Sequence, residues 1–358
     1  MSDRINATRA AMKAAGVDSL IVTNVFNLIY LAGFHSLPGD GCLVITPDKA
    51  VLITDSRYET EMAEKLADSS VELEITRSYY DTAAAELADQ SGKVGFESSL
   101  SFATYETLKE LFGNRLVAVD NLIEKLRFVK DADEVAAVKK SCQLADEAYS
   151  AMLHYVHAGL TERDVERFLY DWLTEHGASK PSFDTIVVSG YRSALPHGVA
   201  SDKVIQDGEL VTVDFGFYYH DYTFDMTRTF AVGEPGNELR KAYAVVQEAQ
   251  SRMIQAMHSG AEADEIDAAA RDYITEQGYG ELFGHGSGHG IGLDIHEGPL
   301  MGPTRKQKVF DGYVMTAEPG IYLPGKGGIR IEDDVLVKGS SFELLTHSNR
   351  DLIVIKSV

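Results

Sequence analysis

The alternation of apolar and polar positions divides the chain into two textures. In the first, short apolar runs are bounded by turn residues. Ser19–Thr23 (SLIVT), Gly41–Ile45 (GCLVI) and Ala50–Thr54 (AVLIT) predict strands, as does Lys93–Phe96, while Arg57–Asp68 has a helical pattern. Residues 1–125 therefore read as an α/β domain. The texture changes at the charged stretch NLIEKLRFVKDADE. From Glu134 to His157 the apolar residues Val135, Val138, Cys142, Ala145, Tyr149, Met152 and Val156 recur at spacings of three and four, which predicts a long amphipathic helix. A domain boundary near residue 125 gives a second domain of residues 126–358.

The second domain contains an internal repeat. Moved forward by 101 residues, Glu147–Gly177 falls on Glu248–Gly278 without a gap, with identities that include Met152/Met253, Gly159/Gly260, Asp171/Asp272 and Gly177/Gly278. Each copy reads as helix, glycine stop, second helix and glycine, the glycines suiting left-handed helix caps. Thr161 and Asp164 open the second helix of the first copy in the manner of a capping box. Helical periodicity alone does not match glycines at two spacings. Strands follow each copy, so the repeat predicts two α/β halves about a pseudo-twofold axis, with a ligand cleft between them.

Two predicted hairpins carry acids. Leu210–Gly233 (LVTVDFGFYYHDYTFDMTRTFAVG) reads as strand, turn, strand, with Asp214 and Asp225 equidistant from the midpoint between Tyr219 and His220. On that register the two carboxylates face each other, a repulsive arrangement that a cation between them would relieve. In Met315–Val337 (MTAEPGIYLPGKGGIRIEDDVLV), Glu318 and Glu332 are equidistant from Gly325. Four acids on two hairpins resemble the oxygen-rich cage of a divalent ion. Phe283–Pro299 (FGHGSGHGIGLDIHEGP) adds His285, His289 and His296 among glycines, and its HEGP is not the HExxH of a zinc helix. His197 lies in the loop SGYRSALPHGVAS.

Composition narrows the function classes. With 44% hydrophobic and 25% charged residues the chain is globular, and a formal net charge of -22 argues against a nucleic-acid partner. The two cysteines, Cys42 and Cys142, lie far apart and form no CxxC pair, which fits a reducing cytosol. The opening MSDRINATRAAMKAAG reads as an amphipathic helix rather than a signal peptide, and no apolar run approaches the roughly 18 residues of a membrane span.

Taken together and in order, VDFG…DMTRT, GHGIGLDIHEGP, TAEPGIY and GIRIEDD resemble the pita-bread metallopeptidases of the Xaa-Pro branch, the prolidases and aminopeptidases P. SALPHG fits as well, and NLIYLAGF and ITDSRY resemble the creatinase/prolidase N-terminal domain, so the resemblance covers nearly the whole chain. It implies an α/β (α+β) protein with that N-terminal domain followed by a pita-bread catalytic domain, cytoplasmic and a homodimer. It also implies two divalent metal ions per chain, Mn²⁺ first and Co²⁺ or Zn²⁺ as alternatives. Asp214 would chelate one ion, His289 and Glu318 the other, and Asp225 and Glu332 would bridge them. His197 and His296 match histidines that position substrate and stabilise the tetrahedral intermediate, Glu318 a proton shuttle, and Arg330 an arginine near the site that is expected to bind substrate together with the two histidines. His285 has no assigned role. Phe183 and Tyr322 are candidate walls for the proline ring. The implied substrate is a proline-containing peptide.

The short loop GFHSLPGDG places Xaa-Pro aminopeptidase first and Xaa-Pro dipeptidase second, the latter needing a basic group for the proline carboxylate, Arg305 or Lys306. A peptide-binding module without catalysis is disfavoured by the complete ligand set. If the bridging roles hold, Asp225→Ala or Glu332→Ala abolishes activity and metal binding together. Retained turnover in either variant would remove the assignment.

Overall fold

The computed structural model describes residues 2–356. The chain separates into two compact units, Met1–Arg127 and Phe128–Val358, dividing two residues beyond the boundary expected from the change in texture.

The first unit is built on a six-stranded sheet ordered Glu72–Ile75, Ala50–Thr54, Gly41–Ile45, Ser19–Val22, Val94–Glu97 and Leu116–Val119. The runs read as strands are fully buried, which explains why they are continuously apolar rather than alternating. Helices cover them, and the sheet is antiparallel only where the Gly41–Ile45 strand meets its two neighbours. The helical pattern at 57–68 is realised as the shorter helix Glu59–Lys65.

In the second unit the predicted repeat is plainly present. Helices Ala132–Tyr155 and Glu162–Glu175 recur as Asn237–Ala256 and Ala263–Glu276, the second helix of each pair displaced by the same 101 residues as the sequence match. Gly159 and Gly260 have φ of 99° and 92°, and Gly177 and Gly278 have 96° and 86°, the left-handed backbone that the match required at those stops. Thr161 and Asp164 form the expected reciprocal capping box.

Each helix pair is followed by a long hairpin. The first pairs Glu209–Phe215 with Met226–Val232 and lies between Ile186–Ser189 and Val354–Ile355. The second pairs Val314–Ala317 with Asp333–Lys338 in a five-stranded sheet that also holds Gly288–Gly290 and Glu297–Met301, and it continues as the pair Gly320–Leu323 and Gly327–Arg330. The centre of the second hairpin is where the sequence put it. Lys326 N–H bonds Leu323 O across Pro324 and Gly325, whose φ of 75° and Pro-Gly order are those of a type II turn.

The first hairpin corrects the sequence reading by one residue. Tyr219 pairs with Tyr222, so the turn is His220-Asp221, both with positive φ (49° and 70°). Asp214 therefore faces Thr227, not Asp225. Asp225 precedes Thr227 by two residues and so stays on the same face of the hairpin, displaced diagonally.

The acid of HEGP is structural. Glu297 Oε1 accepts the backbone N–H groups of Leu293 and Asp294, and Oε2 pairs with Lys130 at 2.9 Å, the two side chains only 3% and 2% exposed. This closes the turn that presents His296. Removing one partner of a buried pair strands the other charge, so Lys130→Met should destabilise the protein by about 3–5 kcal/mol. Denaturant unfolding of Lys130→Met beside the double variant Lys130→Met/Glu297→Gln, which removes the stranded charge but keeps an acceptor for the Leu293 and Asp294 N–H groups and should recover most of the loss, measures it.

Candidate active site

The hairpins and the glycine-rich segment converge on a cavity of about 490 Å³, within the usual range for small-ligand sites. All five residues expected to hold metal line it (Asp214, Asp225, His289, Glu318 and Glu332), and so do His197, His296 and Arg330. Phe183 lines it too.

Three of the five acidic and imidazole groups are tightest. Asp225, His289 and Glu332 each offer a ligand atom within 4.8 Å of the others, and all three are buried. His289 Nε2 stands 3.6 Å from Asp225 Oδ2 and 3.7 Å from Glu318 Oε1, too far for good hydrogen bonds. Its Nδ1 lies 3.0 Å from Gly290 O, which places the ring proton there and leaves the Nε2 lone pair facing the carboxylates. Asp214 Oδ1 and Asp225 Oδ1 are buried with no hydrogen-bond partner among the described residues. Buried carboxylate oxygens without donors, beside an imidazole lone pair, are the donor set of a divalent cation.

Three of the acids sit where their own strand pairing is interrupted. Asp225 lies between Tyr222–Thr223 and Met226–Val232, Glu318 between Val314–Ala317 and Gly320–Leu323, and Glu332 between Gly327–Arg330 and Asp333–Lys338. Their backbone N–H groups bond elsewhere: Asp225 to Asp334 Oδ2, Glu318 to Ser287 O and Glu332 to Thr227 O. GIRIEDDVLV, read as one strand, is thus two segments broken at the acid.

Arg330 is also placed differently from expectation. It lines the cavity, but its donors are engaged by the protein: Nη2 with Asp214 Oδ2 at 2.6 Å, Nη1 with Tyr322 Oη at 2.8 Å and Nε with Thr227 Oγ1 at 3.1 Å. The geometry makes it a holder of Asp214 rather than a free anchor for substrate. Tyr322 in turn bonds His285 Nε2 at 2.8 Å. Burial, and Arg330 nearby, push the His285 imidazole down to about 4, so it is neutral. With its Nδ1 proton on Gly286 O, 2.6 Å away, His285 accepts from Tyr322 and closes a chain that runs through Arg330 to Asp214.

A model of metallopeptidase family M24 matches residues 136–339, and one of the creatinase/prolidase N-terminal domain matches residues 4–129. The chain belongs to metallopeptidase family M24. An Xaa-Pro dipeptidase of Pyrococcus furiosus is 36% identical over 99% of this chain and 100% of that protein. Among solved structures, an Xaa-Pro dipeptidase from Bacillus anthracis is 40% identical with a TM-score of 0.94, covering 99% of each chain. An X-Pro aminopeptidase from Thermotoga maritima is 34% identical with a TM-score of 0.89, covering 98% of this chain and 99% of that one.

M24 peptidases use divalent metal, and the electrostatics of this M24 site fit one. Asp225 is held well above the ordinary carboxylate range by burial and then by Asp214, Asp334 and Glu318. Glu332 is likewise raised well above it by burial and then by Asp225, Glu318 and Asp214, and burial raises Glu318. Behind them Asp334, which accepts from Asp225 N–H and from Cys142 Sγ, is raised by burial to about 7.

The residues that sequence reasoning missed are Thr227, Tyr322 in its hydrogen-bonding role, Asp334 and the partners of His285. One further signal was available for the acids, though not for Thr227: TVDFG (212–216) recurs as TAEPG (316–320), which matches Asp214 with Glu318.

Without cations the folded site binds protons that the unfolded chain has released, so stability falls as pH rises above the ordinary carboxylate range. The chelated protein should therefore melt at lower temperature at about pH 8 than at about pH 5, and added divalent ion should raise the melting temperature most at the higher pH. Calorimetric scans with chelator and with metal at several pH values test this. Equal gains at both ends would contradict it.

Proposed function

We propose that the protein is an Xaa-Pro dipeptidase, hydrolysing the bond between a residue and the C-terminal proline of a dipeptide. The observation that carries this reading is Arg305. This exposed residue lines the cavity, and its guanidinium has no hydrogen-bond or ion-pair partner among the described residues. Lys306, the other candidate, points instead to Asp264 at 2.5 Å and Glu262 at 3.8 Å. An uncommitted guanidinium suits bidentate capture of a free carboxylate, which a dipeptide presents next to the scissile bond and a longer peptide does not. The sequence alone ranked aminopeptidase first. Arg305 and relatives named Xaa-Pro dipeptidase reverse that order.

Asp214 would hold one ion and His289 with Glu318 the other, while Asp225 and Glu332 would be shared. Bound divalent cations, Mn²⁺ by preference, would supply water activation and charge stabilisation for attack on the amide. The chain's own groups do the rest. The leaving proline nitrogen carries no hydrogen and must be protonated as the bond breaks. Glu318, at the cavity wall, is suited to deliver that proton. His296 is lowered by burial and by His289 beside it, and as a neutral imidazole it can donate an N–H to the developing oxyanion. His197, on an exposed loop lining the cavity, is placed to orient the peptide. Of the two candidate walls for the proline ring, Phe183 lines the cavity, whereas Tyr322 is not among the lining residues and its hydroxyl is held between Arg330 and His285.

After Mn²⁺ loading, an Xaa-Pro dipeptide should be cleaved and the matching Xaa-Pro-Yaa tripeptide should be slower by roughly 10²-fold or more in kcat/KM. Arg305→Met should raise KM for the dipeptide by about 10–100-fold, the worth of a charged hydrogen-bonded pair, with little effect on residual tripeptide cleavage. Efficient tripeptide cleavage by the unmodified protein would return the reading to aminopeptidase.

A further inference from the structure

We propose that Thr227 is a positioning residue that sets the spacing of the metal-holding carboxylates by tying the two hairpins together through its hydroxyl. The inference rests on the metal reading above and goes beyond it by naming what holds the ligands in place before metal arrives.

Thr227 is completely buried and lies directly across the strand pair from Asp214. Its hydroxyl has one proton to give. Arg330 Nε, which can only donate, reaches the oxygen at 3.1 Å, so the proton is free to point at Glu332 Oε2, 2.6 Å away. Arg330 Nη2 meanwhile donates to Asp214 Oδ2 at 2.6 Å. The sequence Asp214, Arg330, Thr227, Glu332 is therefore an unbroken chain between one acid from each hairpin, in which every link crosses from one hairpin to the other and the threonine hydroxyl carries the last two.

The backbone of Thr227 makes a second attachment, since Glu332 N–H donates to Thr227 O at 3.1 Å. Glu332 is thus held at its main chain and at its carboxylate by one residue, which limits the rotamers it can take. At the other end, with Oδ2 of Asp214 engaged by Arg330, Oδ1 has no hydrogen-bond partner. The chain commits one oxygen of each acid to the protein. A site whose carboxylates are already oriented binds a cation without first having to order them, and groups that orient ligands in this way typically matter 10–100-fold in metal affinity.

A merely structural threonine would satisfy Arg330 and do nothing for metal, and the two roles separate experimentally. Metal-free wild type, Thr227→Val and Thr227→Ser are titrated with Mn²⁺, following the paramagnetic resonance signal of the free ion, with circular dichroism of the metal-free forms alongside. Thr227→Val keeps the shape and removes the hydroxyl. It should remain folded and bind Mn²⁺ about 10–100-fold more weakly, and Thr227→Ser, which restores the hydroxyl, should recover most of the loss. The proposal is overturned if Thr227→Val binds within about twofold of wild type, if Thr227→Ser is as weak as Thr227→Val, or if metal-free Thr227→Val does not fold. Wild-type protein that binds no Mn²⁺ at all would overturn the metal reading itself, a result distinct from a normal wild type beside an unaffected Thr227→Val.

Discussion

Four carboxylates in one cavity lose much of their hydration and repel one another, and the surrounding architecture is arranged around that cost. Moving a single ion into a poorly polarisable interior costs several kcal/mol unless it is paired. Among the described residues a single buried guanidinium stands at the cavity wall, Arg330, and it is bound to Asp214. Among the described residues the remaining carboxylates meet no further cation; the Thr227 hydroxyl reaches Glu332, and one imidazole has its lone pair turned inward. A charge imbalance of this kind is stable only with protons or cations in the cavity. A peptidase working on a tertiary amide has use for cations, because charge stabilisation of an oxyanion in a dry site is among the larger contributions to hydrolysis.

The way the acids are held follows from the hairpins. In an uninterrupted ladder the backbone of each acid would be bonded to its own strand partner, and the side chain would swing on that frame alone. Here Asp225, Glu318 and Glu332 lie at gaps in the pairing, and their N–H groups are bonded to other segments. Each acid is therefore fixed by elements on more than one side. The duplication makes this possible: both halves supply a helix pair followed by a broken hairpin, and each hairpin contributes two acids. The cavity belongs to neither half by itself.

Much of this was legible in the chain, and what was missed has identifiable causes. The helix repeat could be read because glycine stops recur at fixed spacing and their backbone conformation is one that few other residues adopt. The second hairpin was centred correctly because Pro324-Gly325 names its turn. The first was misplaced by one residue because His220-Asp221 makes a two-residue turn, with positive φ at both positions, without a glycine to mark it. The strand patterns carried Asp214, Asp225, Glu318 and Glu332 to the right faces, but the pairing of acids with His289 and the roles of His197 and His296 came from motif resemblance. Nothing local could assign His285, whose meaning depends on Tyr322 thirty-seven positions away. Arg330 was expected at the substrate because an exposed chemistry-bearing side chain and a buried one look alike in one dimension.

The consecutive acids Glu332, Asp333 and Asp334 show how the protein separates the charges it neutralises itself from those it leaves open. All three are buried. Alternation along the strand sends Asp333 to the face opposite its neighbours. There it meets Arg228 at 2.6 Å, Gln250 at 2.6 Å and Thr346 at 2.7 Å, a carboxylate fully supplied by the polypeptide. Arg228, itself buried, also donates to the carbonyl oxygens of Thr227, Glu332 and Ser348, so the charge behind the site doubles as a brace for its backbone. On the cavity face Arg330 is the one arginine paired with a carboxylate among the described residues, since Arg305 lines the cavity without an ion-pair partner. Glu332 has one threonine hydroxyl, and Asp334 has a backbone N–H and a thiol. An arginine there would have been an equally good counter-ion for stability, as Asp333 demonstrates one residue away. Its replacement by an imidazole lone pair and bare carboxylate oxygens makes sense only for cations that are to act as Lewis acids, because a guanidinium can neutralise a carboxylate but cannot activate water.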